Sequence, residues 1–374
     1  MTVLIIGGGI GGLALAHGLR RGGVQCEVFE RTLERTDWLQ GYRIHISPAG
    51  AQALKSCLGP AGWDAFVEAA EGGGGFGFIT ERGDDLLALP GELINRHGRH
   101  YGISRTGLRE VLLNGLEVQH GRVFTSFEAH GERVTAHFED GGTAEGDLLV
   151  GADGANSRVR AQLLPHAAGR ADTGVVSIAG RGPVDGPLAA RANLVVPRGA
   201  GSLFTAPWRD YVLWGYSEPA ATLPSDVETQ DGEALRGLVT TRIRRWSPAL
   251  RDLVARSDPA SVNAFRVKSA VPVGPWPSGP VTLLGDAIHS MTPAAGIGAN
   301  TALRDADLLR RTILDQEPIS GYEREMLDYG FAAVRRSLRN THSTSLSRAA
   351  FRTVLRVTAA VPPLREAFAR GLGR

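Results

Sequence analysis

Three carboxylates stand at the ends of short apolar runs, two of them, Asp153 and Asp286, beside glycine turns. Glu30 closes Val28-Phe29-Glu30. Asp153 follows Leu148 to Ala152 and precedes Gly154. Asp286 follows Val281 to Gly285. A carboxylate at the end of a buried strand can accept hydrogen bonds from sugar or polyol hydroxyls. Glu30 is preceded by Gly7, Gly9 and Gly12 at the spacing G-x-G-x-x-G, between the β-branched run Val3 to Ile6 and the apolar stretch Leu13 to Leu19. Gly7 permits a tight turn, Gly9 lets the backbone approach a pyrophosphate, and Gly12 lets helix and strand pack closely. The following helix, with Gly11 in its first turn, aims N–H groups at the phosphates. Strand, turn, helix, strand and acid come in the order a dinucleotide site requires. The bland alternative is a Gly-rich turn that binds nothing. Nicotinamide and flavin dinucleotides look alike at this point.

Arg43 and His45 form a second group, in the alternating stretch Gly41 to Ile46. Two apart on a strand, they share a face. Arg43 can hold an anion and His45 can donate a hydrogen bond; a charged hairpin surface is the plain alternative. There is no Cys pair or His cluster at metal-ligand spacing, no nucleophile elbow and no Walker-type lysine.

The elements that must position these residues follow from the patterning. A chain of 374 residues, 43% hydrophobic, can bury a large core and is long for one domain. Its 41 basic and 39 acidic residues leave a net charge of +2, so composition offers no case for nucleic acid. Cys26 and Cys57 are the only cysteines, so no disulfide framework is expected. The N-terminus enters a core strand without a basic leader, and no apolar run reaches the ~18 residues of a spanning helix. The expectation is a cytoplasmic protein, monomer or homodimer. Ser47-Pro48 opens a helix through about Leu58, with a loose Gly-rich stretch to Gly75. Phe76 to Leu89 reads as strand, turn, strand. Tyr101 to Arg105 leads into a helix capped by Ser104 or Thr106. Strands are expected over 175–181, 192–196, 202–206, 211–216 and 264–268, with one helix over 233–243. After Gly298 the chain reads as helical. Residues 331–374 carry nine arginines (335, 336, 339, 348, 352, 356, 365, 370, 374) against Glu366 alone.

Three motifs together resemble the group A flavoprotein monooxygenases, with the fold of para-hydroxybenzoate hydroxylase. They are Gly7 to Gly12 with Glu30; Gly151-Ala152-Asp153-Gly154 through Arg160; and Gly285-Asp286-Ala287-Ile288-His289 through Asn300, followed by Ala302-Leu303-Arg304-Asp305-Ala306. The resemblance covers roughly residues 1–356. It implies an α/β fold with a discontinuous Rossmann-like FAD-binding domain, residues 1–170 and 270–330. A second, mostly antiparallel β-sheet substrate domain spans 171–269, with residues near 76–100 contributing, and a helical C-terminus spans 331–374.

The resemblance also implies site roles. Asp286 holds the flavin ribityl chain, which is compatible with capping a helix. Pro293, Gly296, Gly298, Ala299 and Asn300 belong to the loop and helix start facing the pyrimidine side of the flavin, where a helix N-terminus favours the negative charge of reduction. The family usually has Gly-Gly-Gln-Gly where this chain has Ala295-Gly296-Ile297-Gly298. Asp153 touches the flavin phosphates indirectly, or is a turn residue paired with Arg160. Arg105 reaches the phosphate or ribityl region, the backbone at Val123 holds the adenine, and Arg43 lies near the isoalloxazine ring. Arg31 tolerates a phosphate but falls inside the FAD site. His289 is a packing histidine under the flavin loop.

The implied cycle is reduction of FAD by NADH or NADPH, which docks transiently, then O₂ uptake and oxygen transfer from a flavin C4a-hydroperoxide. The substrate is expected to be aromatic or polycyclic, with Phe204, Trp208, Tyr211, Trp214 and Tyr216 offered by the second domain. An FAD-dependent reductase or dehydrogenase of the same fold, a halogenase, and a non-catalytic flavin-binding protein are the alternatives. The halogenase lacks its Trp-x-Trp-x-Ile-Pro segment here.

Overall fold

The computed structural model describes residues 1–33, 43–341 and 345–371. One compact unit comprises three chain segments, 1–71, 103–171 and 268–340. At its centre lies a parallel five-stranded sheet. Across it the strands run Val281–Leu283, Leu148–Gly151, Thr2–Ile6, Gln25–Glu30 and Val118–His120. Val3, Leu4 and Ile5 are fully buried, and pair with Leu148 to Val150 on one side and Cys26 to Val28 on the other. Such continuous apolar strands suit a parallel sheet covered on both faces.

The helix Ile10–Arg21 lies close to the helix Gly298–Leu314. Gly11, Gly18 and Gly22 share one helix face. A Cβ on Gly18 would fall 2.3 Å from Arg310 Cδ, and one on Gly22 2.3 Å from Leu314 Cδ2. The helix Pro48–Ala69 runs beyond its expected end at Leu58. The chain does break at Gly59, where φ is +73°, but Pro60 starts a second helical stretch because its fixed φ suits a first turn. Of the strand expected over 41–46, Arg43–Ile46 is observed, while Gly41 and Tyr42 lie outside the described residues.

The other unit comprises 72–102, 172–267 and 341–374. Its seven-stranded sheet runs in the order Asn263–Ala270, Arg170–Pro183, Tyr211–Pro219, Ser202–Trp208, Ala192–Val195, Phe76–Ile79 and Asp85–Leu89. The expected strands are present, four of them longer than expected and one, Ala192–Val195, a residue shorter. Ala192–Val195 and Phe76–Ile79 pair in parallel, so the sheet is mixed. The expected helix appears as Gly232–Arg242, and a further helix, Pro248–Ala255, escaped the sequence reading. Both back one face of the sheet, burying Ile178, Trp214, Tyr216, Leu235, Val239 and Leu250.

The helices Ser345–Ala360 and Pro362–Gly371 pack on part of the other face. Leu355 and Ala369 meet Phe78, Leu87 and Val196 there, and the Phe78 ring stands edge-on to Phe351 and Phe368 at 5.8 and 5.6 Å. The arginine run therefore does two things. Arg352 is buried and donates to Glu81 at 2.7 Å and to the Val196 carbonyl at 2.9 Å, whereas Arg356 and Arg370 are exposed; Arg374 lies outside the described residues.

Both cysteines are free. Burial pushes the Cys57 thiol up to about 12, while Cys26 is half-buried and raised by the same cause. We predict that at about pH 8 a thiol reagent labels Cys26 slowly and leaves Cys57 untouched until the protein is unfolded, since the thiolate is the nucleophile. Two thiols reacting rapidly in native protein would contradict this. Among the described residues no helix is long and apolar enough to cross a membrane, and no group of His, Cys, Asp or Glu could hold a metal ion.

Candidate functional site

The parallel sheet brings the motif residues to one edge. Val281–Leu283, Leu148–Gly151, Thr2–Ile6 and Gln25–Glu30 are neighbours and point the same way. Their carboxyl ends carry Asp286, Asp153, the Gly7 turn and Glu30 in that order. Open parallel sheets bind ligands at this edge, where the strand order switches direction.

The glycine turn is tight for identifiable reasons. Gly7 has φ +118°, and its N–H donates to the Phe29 carbonyl at 2.8 Å. A Cβ on Gly7 would sit 2.3 Å from the Ala152 carbonyl oxygen, and one on Gly12 2.2 Å from the Gly7 carbonyl oxygen. Gly9 caps the helix without a side-chain oxygen, so the helix end presents backbone N–H groups and its positive pole to a phosphate. Gly11 has a packing role, since its Cβ would meet Leu284 Cδ1 at 2.6 Å. Glu30 is only 2% exposed. Its Oε2 accepts the Gly8 N–H at 2.8 Å, and its Oε1 accepts the Thr32 N–H at 3.0 Å and hydroxyl at 2.7 Å. It fastens the turn at the end of its strand, the position from which a carboxylate can meet a ribose hydroxyl. Arg31 beside it is exposed.

Asp153 Oδ2 accepts the N–H groups of Arg158 at 2.7 Å and Val159 at 3.3 Å, so it secures the start of the helix Arg158–Leu163. Its Oδ1 is buried with no hydrogen-bond partner among the described residues, and burial raises its pKa. The alternative reading of Asp153, a salt pair with Arg160, finds no direct ion pair, although the two charges still attract. That guanidinium is used by three carbonyls, Ala287 at 2.9 Å, Ala168 at 2.8 Å and Ala155 at 3.1 Å.

Asp286 is exposed at the start of the helical turn Asp286–His289. Its Oδ1 lies 4.0 Å from where a Cβ on Gly298 would stand. Pro293 begins a 3₁₀ turn that ends at Gly296, whose φ is +63°, and Gly298 opens the next helix with Ala299 half-buried behind it. Asn300 is turned to the protein rather than outward. Its Oδ1 accepts the Ser47 N–H at 2.8 Å and its Nδ2 donates to the His45 carbonyl at 3.0 Å. It therefore anchors the end of the strand that carries Arg43 and His45, both half-buried. Arg105 is half-buried at the first position of the helix Arg105–Leu113, which Ser104 caps. The Val123 carbonyl accepts the Glu139 N–H at 2.9 Å.

Two residues were missed by sequence reasoning. Asp305 and Tyr329 join His289 in a buried cluster beneath the Asp286 turn. Burial opposes a charged His289, but the Asp305 carboxylate 2.6 Å away, together with the Asp286 charge and a backbone hydrogen bond, raises the imidazole pKa. Asp305 lies in the third motif, yet among helical residues a carboxylate reads as a surface charge unless its partners are known.

The residues fit a flavin dinucleotide. A helix N-terminus suits the pyrophosphate, Glu30 and Asp286 suit the two polyol ends, and the partnerless Asp153 Oδ1 suits a hydrogen-bond donor. The FAD binding domain family matches residues 95–327, and the NAD(P)-binding Rossmann-like domain family matches residues 5–34. The FAD-dependent urate hydroxylase of Klebsiella oxytoca is 32% identical, over 87% of this chain and 84% of that protein. The dual O-methyltransferase/FAD-dependent monooxygenase elcB of Phaeosphaeria nodorum is also 32% identical, over 82% of this chain, but this chain spans only 39% of its length. Klebsiella pneumoniae HpxO, solved with FAD and uric acid, has a TM-score of 0.87 and 27% identity, over 100% of this chain and 96% of that one.

Proposed function

The chain belongs to the FAD-binding domain family of FAD-dependent monooxygenases, and we propose that it uses NADH or NADPH and O₂ to insert one oxygen atom into a flat, largely apolar aromatic molecule. FAD, when bound, supplies the redox chemistry that carries electrons from the nicotinamide to O₂. The chain's own work is grip, orientation and exclusion of water. We assign the grip to the three strand-end turns of the first unit, with Arg43 and His45 as the polar groups directed at the ring or at an anionic substrate.

The observation that carries the substrate reading is a half-open sheet face in the second unit. Cross-strand neighbours share a face. Ser202, Ser217 and Ser177 form one row, Phe204, Gly215 and Ala179 the next, then Ala206, Leu213 and Arg181, and Trp208 with Tyr211 the last. Phe78 and Leu194 continue this face under the C-terminal helices, but these four rows belong to neither of the two core clusters described above. Phe204, Leu213 and Gly215 are half-buried, and a Cβ on Gly215 would meet nothing within 4 Å. Trp214 and Tyr216, 0% and 3% exposed, point into the opposite core and are not substrate residues. In the four rows Ala179, Ala206, Trp208 and Tyr211 are buried while Phe204, Leu213 and Gly215 are half-buried, which leaves a flat apolar strip with hydroxyls at one end, where the Ser217 hydroxyl donates to Ser177 at 3.2 Å. That suits a planar ring system bearing a hydroxyl or oxo group. The urate hydroxylase relative and the HpxO complex with uric acid support a planar ring substrate bearing oxo groups, although uric acid itself is polar around its rim.

The test is NAD(P)H consumption by FAD-loaded protein across phenols, indoles, oxopurines and polyketide aromatics, with products weighed for one added oxygen. Stimulation by none of them would sink the substrate class. We also predict that Gly215→Leu, which projects into open space, leaves folding and flavin content intact and raises KM for the best aromatic substrate roughly tenfold, the equivalent of about 1.4 kcal/mol. An unchanged KM would remove this face from the substrate site.

A further inference from the structure

We infer that Asp305 is the positioning residue of the cofactor site, holding the Gly285–Asp286 turn in the one geometry that presents Asp286; the inference rests on the FAD reading above. Asp286 is exposed, so its direction is set by the backbone beneath it. That backbone is unusual, with Gly285 at φ +61° and ψ −141°. Both ends of the turn are tied to one carboxylate. Asp305 Oδ2 accepts the Gly285 N–H at 2.6 Å and the His289 Nε2–H at 2.6 Å, and Oδ1 accepts the Tyr329 hydroxyl at 2.5 Å. The Gly285 carbonyl in turn accepts the His289 N–H at 3.0 Å. Residues 285 to 289 are thereby closed into a ring through a side chain on another helix.

The surroundings enforce this arrangement. A Cβ on Gly330 would fall 2.5 Å from His289 Cδ2, so the helix Ile319–Thr341 presses closely on the imidazole. Arg304 stacks over the Tyr329 ring at 3.6 Å. Asp305 itself is 0% exposed, so it acts on a ligand only through the turn. Burying a carboxylate is seldom a route to stability, since apolar packing of equal volume does as well. Three converging donors do, however, define a direction, and that is what a turn built on a conformationally permissive glycine needs.

The test compares Asp305→Asn, Asp286→Ala and the double variant by FAD affinity of the apoprotein, thermal unfolding of the apoprotein, and visible circular dichroism of the bound flavin. Tyr322→Phe is the control. It removes another buried hydrogen bond, made by the helix that carries Tyr329 to the Leu283 carbonyl at 2.8 Å, outside the turn. Asp305→Asn is expected to weaken FAD roughly tenfold or more, to alter the flavin dichroism, and to add little once Asp286 is alanine. Tyr322→Phe is expected to lower the unfolding temperature while leaving FAD affinity within about threefold. If Asp305→Asn does not fold, Tyr329→Phe and His289→Asn are read for the same coupling with Asp286. Additive losses, or FAD loss in Tyr322→Phe matching that in the Asp305 variant, would overturn the inference. If Asp286→Ala alone leaves FAD affinity unchanged, the reading of the turn as a cofactor contact falls, and this inference with it.

Discussion

Gly12→Val is expected to give protein that cannot hold FAD. Any Cβ at this position lies 2.2 Å from the Gly7 carbonyl oxygen, a backbone atom that cannot rotate away, and 3.2 Å from Ala152 and Ile5. Helix and strand must therefore separate, and the Gly7 turn must open. Overpacking of this kind costs roughly 1–3 kcal/mol or more, a sizeable share of the stability of an ordinary protein. Binding loses more, because the pyrophosphate site is the turn itself. Loss of these contacts is expected to weaken FAD by at least ~100-fold, the equivalent of about 2.7 kcal/mol. The measurement is flavin content after purification in excess FAD. A stoichiometrically yellow Gly12→Val protein would show that the turn does not grip the cofactor.

Asp286→Ala should separate binding from folding. The side chain is exposed, so its removal is expected to change stability by no more than about 0.5 kcal/mol. A hydrogen bond to a charged group contributes about 1.5–3 kcal/mol, so FAD affinity should fall ~10- to 150-fold. Equilibrium reconstitution followed by flavin fluorescence reads the affinity, and thermal unfolding of the apoprotein reads the stability. Equal FAD affinity in the variant and the unaltered protein would leave Asp286 as a turn residue only.

These expectations divide by how local their physics is. Gly12 is legible from sequence because the clash that demands glycine there is with Gly7, five residues away; at Gly7 and Gly11 the clashes are with Ala152 and Leu284, and only the motif spacing marks them. The strand ends at Glu30, Asp153 and Asp286 are legible because a buried parallel strand is a continuous apolar run. The Asp305 cluster was not legible: its donors come from residues 285, 289 and 329, and nothing local marks them as neighbours. Alternation along Tyr211 to Tyr216 marks two faces but not which one the helices cover. The structure turns Trp214 inward and leaves Leu213 and Gly215 on the half-open side. At Gly59-Pro60 a local stop signal was read correctly as a break, but the helical stretch that follows depends on Phe66 finding a buried place.

The most direct test is to load the purified chain with FAD, remove free flavin, record its visible spectrum, and add NADH or NADPH with an aromatic substrate, first without and then with oxygen. The predicted result is a yellow protein that bleaches under anaerobic conditions, regains its colour in air, and yields product heavier by one oxygen atom. A colourless protein after desalting, or a yellow one that neither nucleotide bleaches with any aromatic present, would contradict the account.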